Sequence, residues 1–421
     1  RGAGRDRTTL VFPETIGQIT DKEVPYSDGL LKIEANSRAE RSAQLTTVLG
    51  PAKRGDRTLT VASTAGISPG QWIRLYVYNP ISGEAPEFID RAAFPIRNKV
   101  PQSDPTYNSF GKYIYGNGRL AMNDERRGWF AGLDVLWLAK VESVGRNTLT
   151  LARPLRIDVR TEWKPEVWSC PPVLQEAGLE DFAMEFPDIQ YPGHWKEPGS
   201  MAVSISGVDC WARRLRIVDA DICVVMNGAH CTASDIIMEA RLRTGEPTEN
   251  TENGETGHFA VVTAGPGTQD NLVANCELRT LYVHNLSCGG LANGNVYSAI
   301  RTLYPRFDHH GCAPYENLYT EILCMKGGEG FSMSGGWRGD EPQSGIRDTY
   351  WNIRTLGTPL SGIHGPDMWP MMNIIGVDGL TTARPAGDSL ETWIESWPGE
   401  QTRPSNLYLA QLARRLGRSV G

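Results

Sequence analysis

The sequence predicts an all-β protein wound as a single-stranded parallel solenoid, with a small β subdomain inserted near its start and a helix at its C-terminus. Three observations carry that expectation. From residue 200 onward the chain reads as successive turns of one pattern: a short strand, a glycine-containing turn, a polar residue and a second strand, as in VSISGVDCWARRLRIVDA, VVMNGAHCTASDIIMEAR and YVHNLSCGGLANGNVYSAIR. The landmarks are regular, with Gly207 and Gly228 21 residues apart, Asn271 and Asn295 24 apart, and Asn295 and Asn317 22 apart. Helical periodicity is nearly absent, while 45 Gly and 12 Trp among 421 residues speak for many turns and much aromatic surface. A period of ~22 residues without intervening helices winds into stacked coils, each adding one strand per sheet and rising ~4.8 Å.

The elements follow in chain order. The opening RGAGRDRTTLVF reads as the middle of a turn and strand, so a longer precursor carrying a targeting segment is expected to precede Arg1, and residues 1–44 are expected to form the first coils. Gly2 and Gly4 lack the third glycine and the helix of a dinucleotide loop. Residues 45–160 hold two similar phrases, GDRTLTVAS at 55–63 and GRNTLTLAR at 145–153, and between them SPGQWIRLYVY alternates as a strand does; this is the expected inserted subdomain. Its polar, aromatic stretch RNKVPQSDPTYNSFGKYIYGNGRLAMNDERRGWF is long enough to suggest a functional loop or a partner contact.

Residues 161–385 are expected to be the main solenoid, interrupted by the acidic insertion TGEPTENTENGETG at 244–257. Asn271, Asn295 and Asn317 precede apolar strands, with Asp235 and Asp348 in the matching place of neighbouring coils. Stacked at one corner, these side chains are expected to form a hydrogen-bonded ladder. In the tail, residues 386–421, Leu407, Leu409, Leu412 and Leu416 follow Ser405 as a candidate N-cap, predicting a helix that covers the open end of the solenoid.

Composition narrows the function classes. A net charge of -7 lacks the basic face of a nucleic-acid binder, and no apolar run approaches the ~20 residues of a membrane helix. Eight cysteines without a CxxC pair exclude a zinc ribbon; most sit in apolar strands as small buried hydrophobes, with disulfides left open.

The coil pattern over residues 165–385, together with GAGRDRTTLVF, DFAMEFP, PGHWKEPG, WARRLRIVDAD and FDHHGCAPYENLYTEI, resembles the pectate-lyase-like superfamily of right-handed parallel β-helix proteins, including secreted bacterial members of unknown activity. The resemblance implies a right-handed coil, an extracellular, periplasmic or cell-surface location and a polysaccharide partner. The superfamily spans lyases, hydrolases, epimerases and tail fibres, so it does not fix the reaction.

Coil stacking places distant residues on one wall. YVHNLS brings His284, FDHHG brings Asp308, His309 and His310, and GIHGPD brings His364 and Asp367; all seven histidines lie between 194 and 364. Strand alternation sends His309 and His310 to opposite faces. A β-eliminating lyase needs a base, a partner for the uronate carboxylate and an acid. His309 or His310, oriented by Asp308, suits the base, with His284 beside them; Tyr315 suits the acid; Arg306, Arg338 and Arg347 suit the carboxylate.

A hydrolase instead needs two carboxyl groups, for which Asp308, Asp219, Asp221, Glu197 and Glu316 are candidates. Trp195, Trp337 and Trp369 suit sugar stacking, with His194, Glu197 and His364 as further substrate contacts, whereas Trp211 and Trp351 read as core. Over residues 200–365, 12 Lys plus Arg face 18 Asp plus Glu, unfavourable to a polyanion unless a bound calcium reverses the local sign. Best fitted is a lyase on a uronate-containing glycan; a carboxylate-pair hydrolase and a non-catalytic glycan-binding or surface β-helix are the alternatives.

Overall fold

The computed structural model describes residues 1–21, 29–34, 43–82, 96–116, 135–170, 174–241, 254–309, 313–329, 344–361, 370–379, 393–395 and 402–419. The chain divides into two compact units, 1–34 with 174–421, and 35–173. The boundary thus falls ten residues before the expected position 45 and well after 160, because residues 161–169 supply a strand to the smaller unit.

The larger unit is a parallel β-helix. Among the described residues, one sheet of 12 strands and one of six run side by side, every neighbouring pair parallel. The N-terminal residues complete the first coil, Thr9–Val11 pairing with the strand Gly178–Glu185 and Leu31–Ile33 with Met201–Ile205.

One left-handed residue per coil bends the long sheet. Asp181, Arg214, Asp235, Asn275, Ala299, Glu321, Asn352 and Gly376 all have φ between 53° and 67° and follow one another in register through eight coils. Left-handed φ is costly for side chains other than Gly, Asn and Asp, so its repetition marks a corner that packing on both sides imposes. Asp235 therefore belongs to this bend and not to the ladder.

The ladder itself runs Asn271, Asn295, Asn317, Asp348. Each amide donates to the next side chain, at 2.9, 3.0 and 3.1 Å, and each side-chain oxygen also accepts from the backbone of the coil below. Below Asn271 the place is taken by Cys231, whose N–H donates to Asn271 Oδ1. The glycine spacing has a similar cause: a Cβ on Gly228 would lie 2.3 Å from the carbonyl oxygen of Gly207 one coil away.

The interior is filled by stacked apolar rows, and the later coils carry a column of tyrosines, Tyr297, Tyr319 and Tyr350, with ring centroids 4.5 and 4.7 Å apart. All seven described cysteines are free thiols. Burial pushes Cys276 and Cys324 up to about 12, which leaves both inert as nucleophiles. No described helix is long and apolar enough to cross a membrane.

Among its described residues the smaller unit is a six-stranded antiparallel sheet. Its two similar phrases pair with each other, Thr58–Thr60 against Thr148–Leu151 with Leu59 opposite Leu149. Between them Trp72–Val77 alternates half-buried and buried residues, as the sequence pattern requires. Part of the long polar stretch folds as a helix, Ser109–Ile114, whose Phe110 packs edge-on against the buried Trp163. Residues 117–130 lie outside the described residues.

The C-terminal helix is Leu407–Leu416, one residue displaced from the expected start: Asn406, not Ser405, caps it by accepting from Leu409 N–H. It does not close the end of the solenoid. Asn406 donates to Ser298 Oγ and Glu321, Leu407 N–H donates to Thr320 Oγ1, and Trp351 donates to the Pro404 carbonyl, so the tail crosses three successive coils on the flank of the long sheet.

Candidate functional site

The six-stranded parallel sheet of the larger unit has two faces, and its register separates them. Val203, Val224, Val261, Leu286 and Phe307 stack in one inward row. Met201, Ile222 and Phe259 instead form an apolar cluster of their own with Val225 and Val262, apart from the interior core. His284 is the register partner of Phe259, and Asp308 continues the row Val262, Ser287. The outer face of this sheet thus changes from apolar to polar in its last two coils.

Over that face runs the connection between Gly178–Glu185 and Met201–Ile205. It has a tight turn at 193–196, where Lys196 N–H donates to the Gly193 carbonyl and Trp195 takes φ 70°. A bulky residue in that conformation is a genuine outlier that its surroundings must hold. Glu197 Oε1 holds it, accepting from Trp195 N–H at 3.1 Å and from the Tyr191 hydroxyl at 3.0 Å. Asp221 anchors the end of the strap, accepting from Gly199 N–H at 3.1 Å and Ser200 N–H at 2.7 Å.

The strap and the sheet bring three imidazoles together. His194 and His258 have ring centroids 4.3 Å apart, His258 and His284 5.3 Å, His194 and His284 5.7 Å. Two have a carboxylate beside Nδ1: Glu197 Oε1 lies 2.9 Å from that atom of His258, and Asp308 Oδ2 lies 3.5 Å from that of His284. Asp308 is itself fixed by the Ser287 hydroxyl, which donates at 2.5 Å. Phe259 stacks on His258 at 3.9 Å, forming an apolar floor. His258 and His284 are buried, His194 is half-buried, and Trp195, stacked on His194 at 5.0 Å, is 51% exposed. Burial pushes the Glu197 carboxyl up, outweighing the hydrogen bonds and the nearby His194 charge that pull it down.

The expected site residues are divided by these positions. His284, Asp308, His194, Trp195 and Glu197 come together, and Asp221 lies next to them as the anchor of the strap. His309 does not join them. It is fully buried inside the coil, stacked in register on Cys288, with Nε2 2.5 Å from the Tyr350 hydroxyl and Nδ1 3.3 Å from Asp348. Alternation sends Asp308 outward and His309 inward.

Tyr315 is also buried, bridged in register to Asn293. Arg347 and Glu316 are stacked corner residues that pair at 2.7 Å, and Asp219 is buried against Arg241. Arg306, whose backbone borders His284 through the Asn285 N–H, reaches Glu255 at 2.8 Å. His310, Arg338, Trp337, His364, Asp367 and Trp369 lie outside the described residues.

Sequence reasoning missed His258. Its signal was present: Phe259 and His284 are register partners, so the two histidines flank one position of adjacent coils. The register repeat from Phe259 to His284 is 25 residues, longer than the 22-residue spacing read elsewhere, and this hid the match.

No family model and no curated protein matches the chain. Among solved structures it is similar to the tailspike protein gp49 of Pseudomonas phage LKA1, at 11% identity and TM-score 0.38, over 84% of this chain and 55% of that one. It is also similar to the tailspike gp61 of Pseudomonas phage phi297, at 10% and 0.33 over 85% and 65%. A third is the gp54 tailspike of Acinetobacter baumannii bacteriophage AP22, solved in complex with A. baumannii capsular saccharide, at 10% and 0.30 over 90% and 62%. The chain therefore spans between 55% and 65% of the length of these proteins. The register and coil geometry described above, and not these distant likenesses, define the fold.

Proposed function

We propose that this β-helix binds an extended polysaccharide at the outer face of the six-stranded sheet beside Trp195 and cleaves it there, by β-elimination next to a uronate carboxylate. The single observation that carries the reading is the convergence of three imidazoles on one outer patch directly beside an exposed, strained tryptophan. The indole offers a stacking platform for a sugar ring, one end apolar and one end wet.

The polar chemistry beneath it favours an anionic sugar. Both carboxylates of the patch are already engaged, Glu197 by Tyr191, Trp195 N–H and the neighbouring His258, and Asp308 by Ser287. A glycoside hydrolase would need such groups facing the glycosidic bond. His258 and His284, beside those carboxylates, and His194 next to them are instead placed so that one imidazolium faces a uronate carboxylate while a neutral neighbour accepts a proton. Neutralising that carboxylate acidifies the adjacent C–H, and a positioned acid or base contributes typically 10²–10⁴-fold.

Incubation with acidic and neutral polysaccharides tests the reading. An unsaturated product absorbing in the ultraviolet is expected from an acidic glycan, with the signal lost in His284→Ala. New reducing ends without that absorbance would replace elimination by hydrolysis, and retention without any product would leave a binding protein.

A further inference from the structure

We infer that His194, His258 and His284 form a binding site for one divalent transition-metal ion of the zinc class. Their ligand nitrogens all lie within 4.8 Å of one another, and among the described residues they are the only group of three or more His, Cys, Asp and Glu side chains so disposed. The three come from separate places in the chain: the strap turn, the start of the strand Gly257–Ala264 and the strand Tyr282–Gly289. Such convergence is more than the stacking of one repeat position.

The chemistry of the donor set selects the ion. Imidazole nitrogens suit zinc and its first-row neighbours, whereas calcium takes six to eight oxygens. Three protein ligands also leave the fourth position of a tetrahedral site open. The surroundings fit as well. Ligating histidines as a rule offer their other ring nitrogen to a carboxylate, which sets the tautomer and raises basicity. Glu197 beside His258 Nδ1 and Asp308 beside His284 Nδ1 are placed for that role.

Closing on zinc at ~2.0–2.1 Å brings the nitrogens to roughly 3.3 Å apart, so nitrogens that lie within 4.8 Å of one another draw in by up to about 1.5 Å. His194 sits on the strap and not on a strand, and is the ligand able to make that movement.

The inference stands apart from glycan cleavage by free imidazoles, since a ring that ligates the ion is not available as a base. The purified full chain is stripped with dipicolinate and titrated with zinc chloride at pH 7.5 against a chromophoric zinc chelator. One equivalent per chain is expected, binding below about 1 µM, with affinity falling at least tenfold in His194→Ala, His258→Ala and His284→Ala. Glu197→Gln and Asp308→Asn are expected to weaken it about 10–100-fold.

His194→Ala guards against misfolding as a cause, since it truncates a strap side chain and its circular dichroism can be compared with the parent. No zinc uptake by the parent chain, or unchanged affinity in a folded His194→Ala protein, overturns the site. Zinc binding without any glycan product would sink only the cleavage reading, while cleavage in a parent chain that takes up no zinc would sink only the metal site.

Discussion

Two groupings of imidazole and carboxylate part at neighbouring residues of this chain, Asp308 and His309, and end in opposite worlds. His284 stands on the outer face of the six-stranded sheet with His194, His258, Glu197 and Asp308, beside an exposed tryptophan. His309 stands inside the coil against Asp348, Tyr319 and Tyr350, with Asp348 closing the asparagine ladder and accepting from Ser344. Each pairs an imidazole with a carboxylate at similar distance, 3.5 and 3.3 Å. What differs is which face of the strand the residue occupies. A histidine next to an acid is thus no sign of function in a solenoid until the face is known. The inner cluster ties successive coils together, whereas the outer one gathers residues from a strap and three strands that no ladder requires.

Substitutions can break this contrast. The largest effect is expected from His284→Ala, which should reduce cleavage about 10²–10⁴-fold in a product assay while the chain stays folded. Undiminished turnover in that variant would remove the outer patch from the chemistry. Next, His309→Ala should leave Tyr350 and Asp348 without their imidazole and open a void, costing about 2–4 kcal/mol in denaturant unfolding. The still-folded protein should retain its activity, and a folded but inactive His309→Ala would reverse the assignment of the two clusters.

A smaller change is expected from Trp195→Ala: about 1 kcal/mol of glycan affinity, roughly fivefold in Kd by retention on immobilised polysaccharide. Equal retention would mean that sugars bind elsewhere.

The smallest effect concerns pH. Burial raises the Glu197 carboxyl above its ordinary value of 4.5, so the folded chain holds this proton after the unfolded chain has lost it. Its contribution to stability is full below 4.5 and is lost as pH rises through the elevated folded value. Glu197→Gln should flatten that part of the stability profile measured by urea unfolding. A parent profile that rises over the same interval, unaltered by the substitution, would show that the group is not held protonated.

Much of the architecture was legible. Asn271, Asn295 and Asn317 recur at coil spacing because each must satisfy backbone groups of the coil below, a demand that leaves a period in the sequence. The repeated phrases at 55–63 and 145–153 likewise announced partners, and they pair. The face of each histidine was harder. FDHHG states that neighbouring residues diverge but gives no absolute sense, so the sequence leaves His309 a candidate, and the structure turns its side chain inward. Asp235 resembles a ladder residue in sequence because a corner and a ladder position both favour short polar side chains.

The sequence by itself determined that this chain coils, since a period in residue type is a local signal repeated until it is unmistakable. It determined too which side chains could carry chemistry. Only the tertiary structure decided which of them meet, because the strap with His194, Trp195 and Glu197 belongs to one coil and His258 and His284 to others. That encounter depends on register across an irregular insertion and on the inward or outward sense of each strand, and neither leaves a period to read.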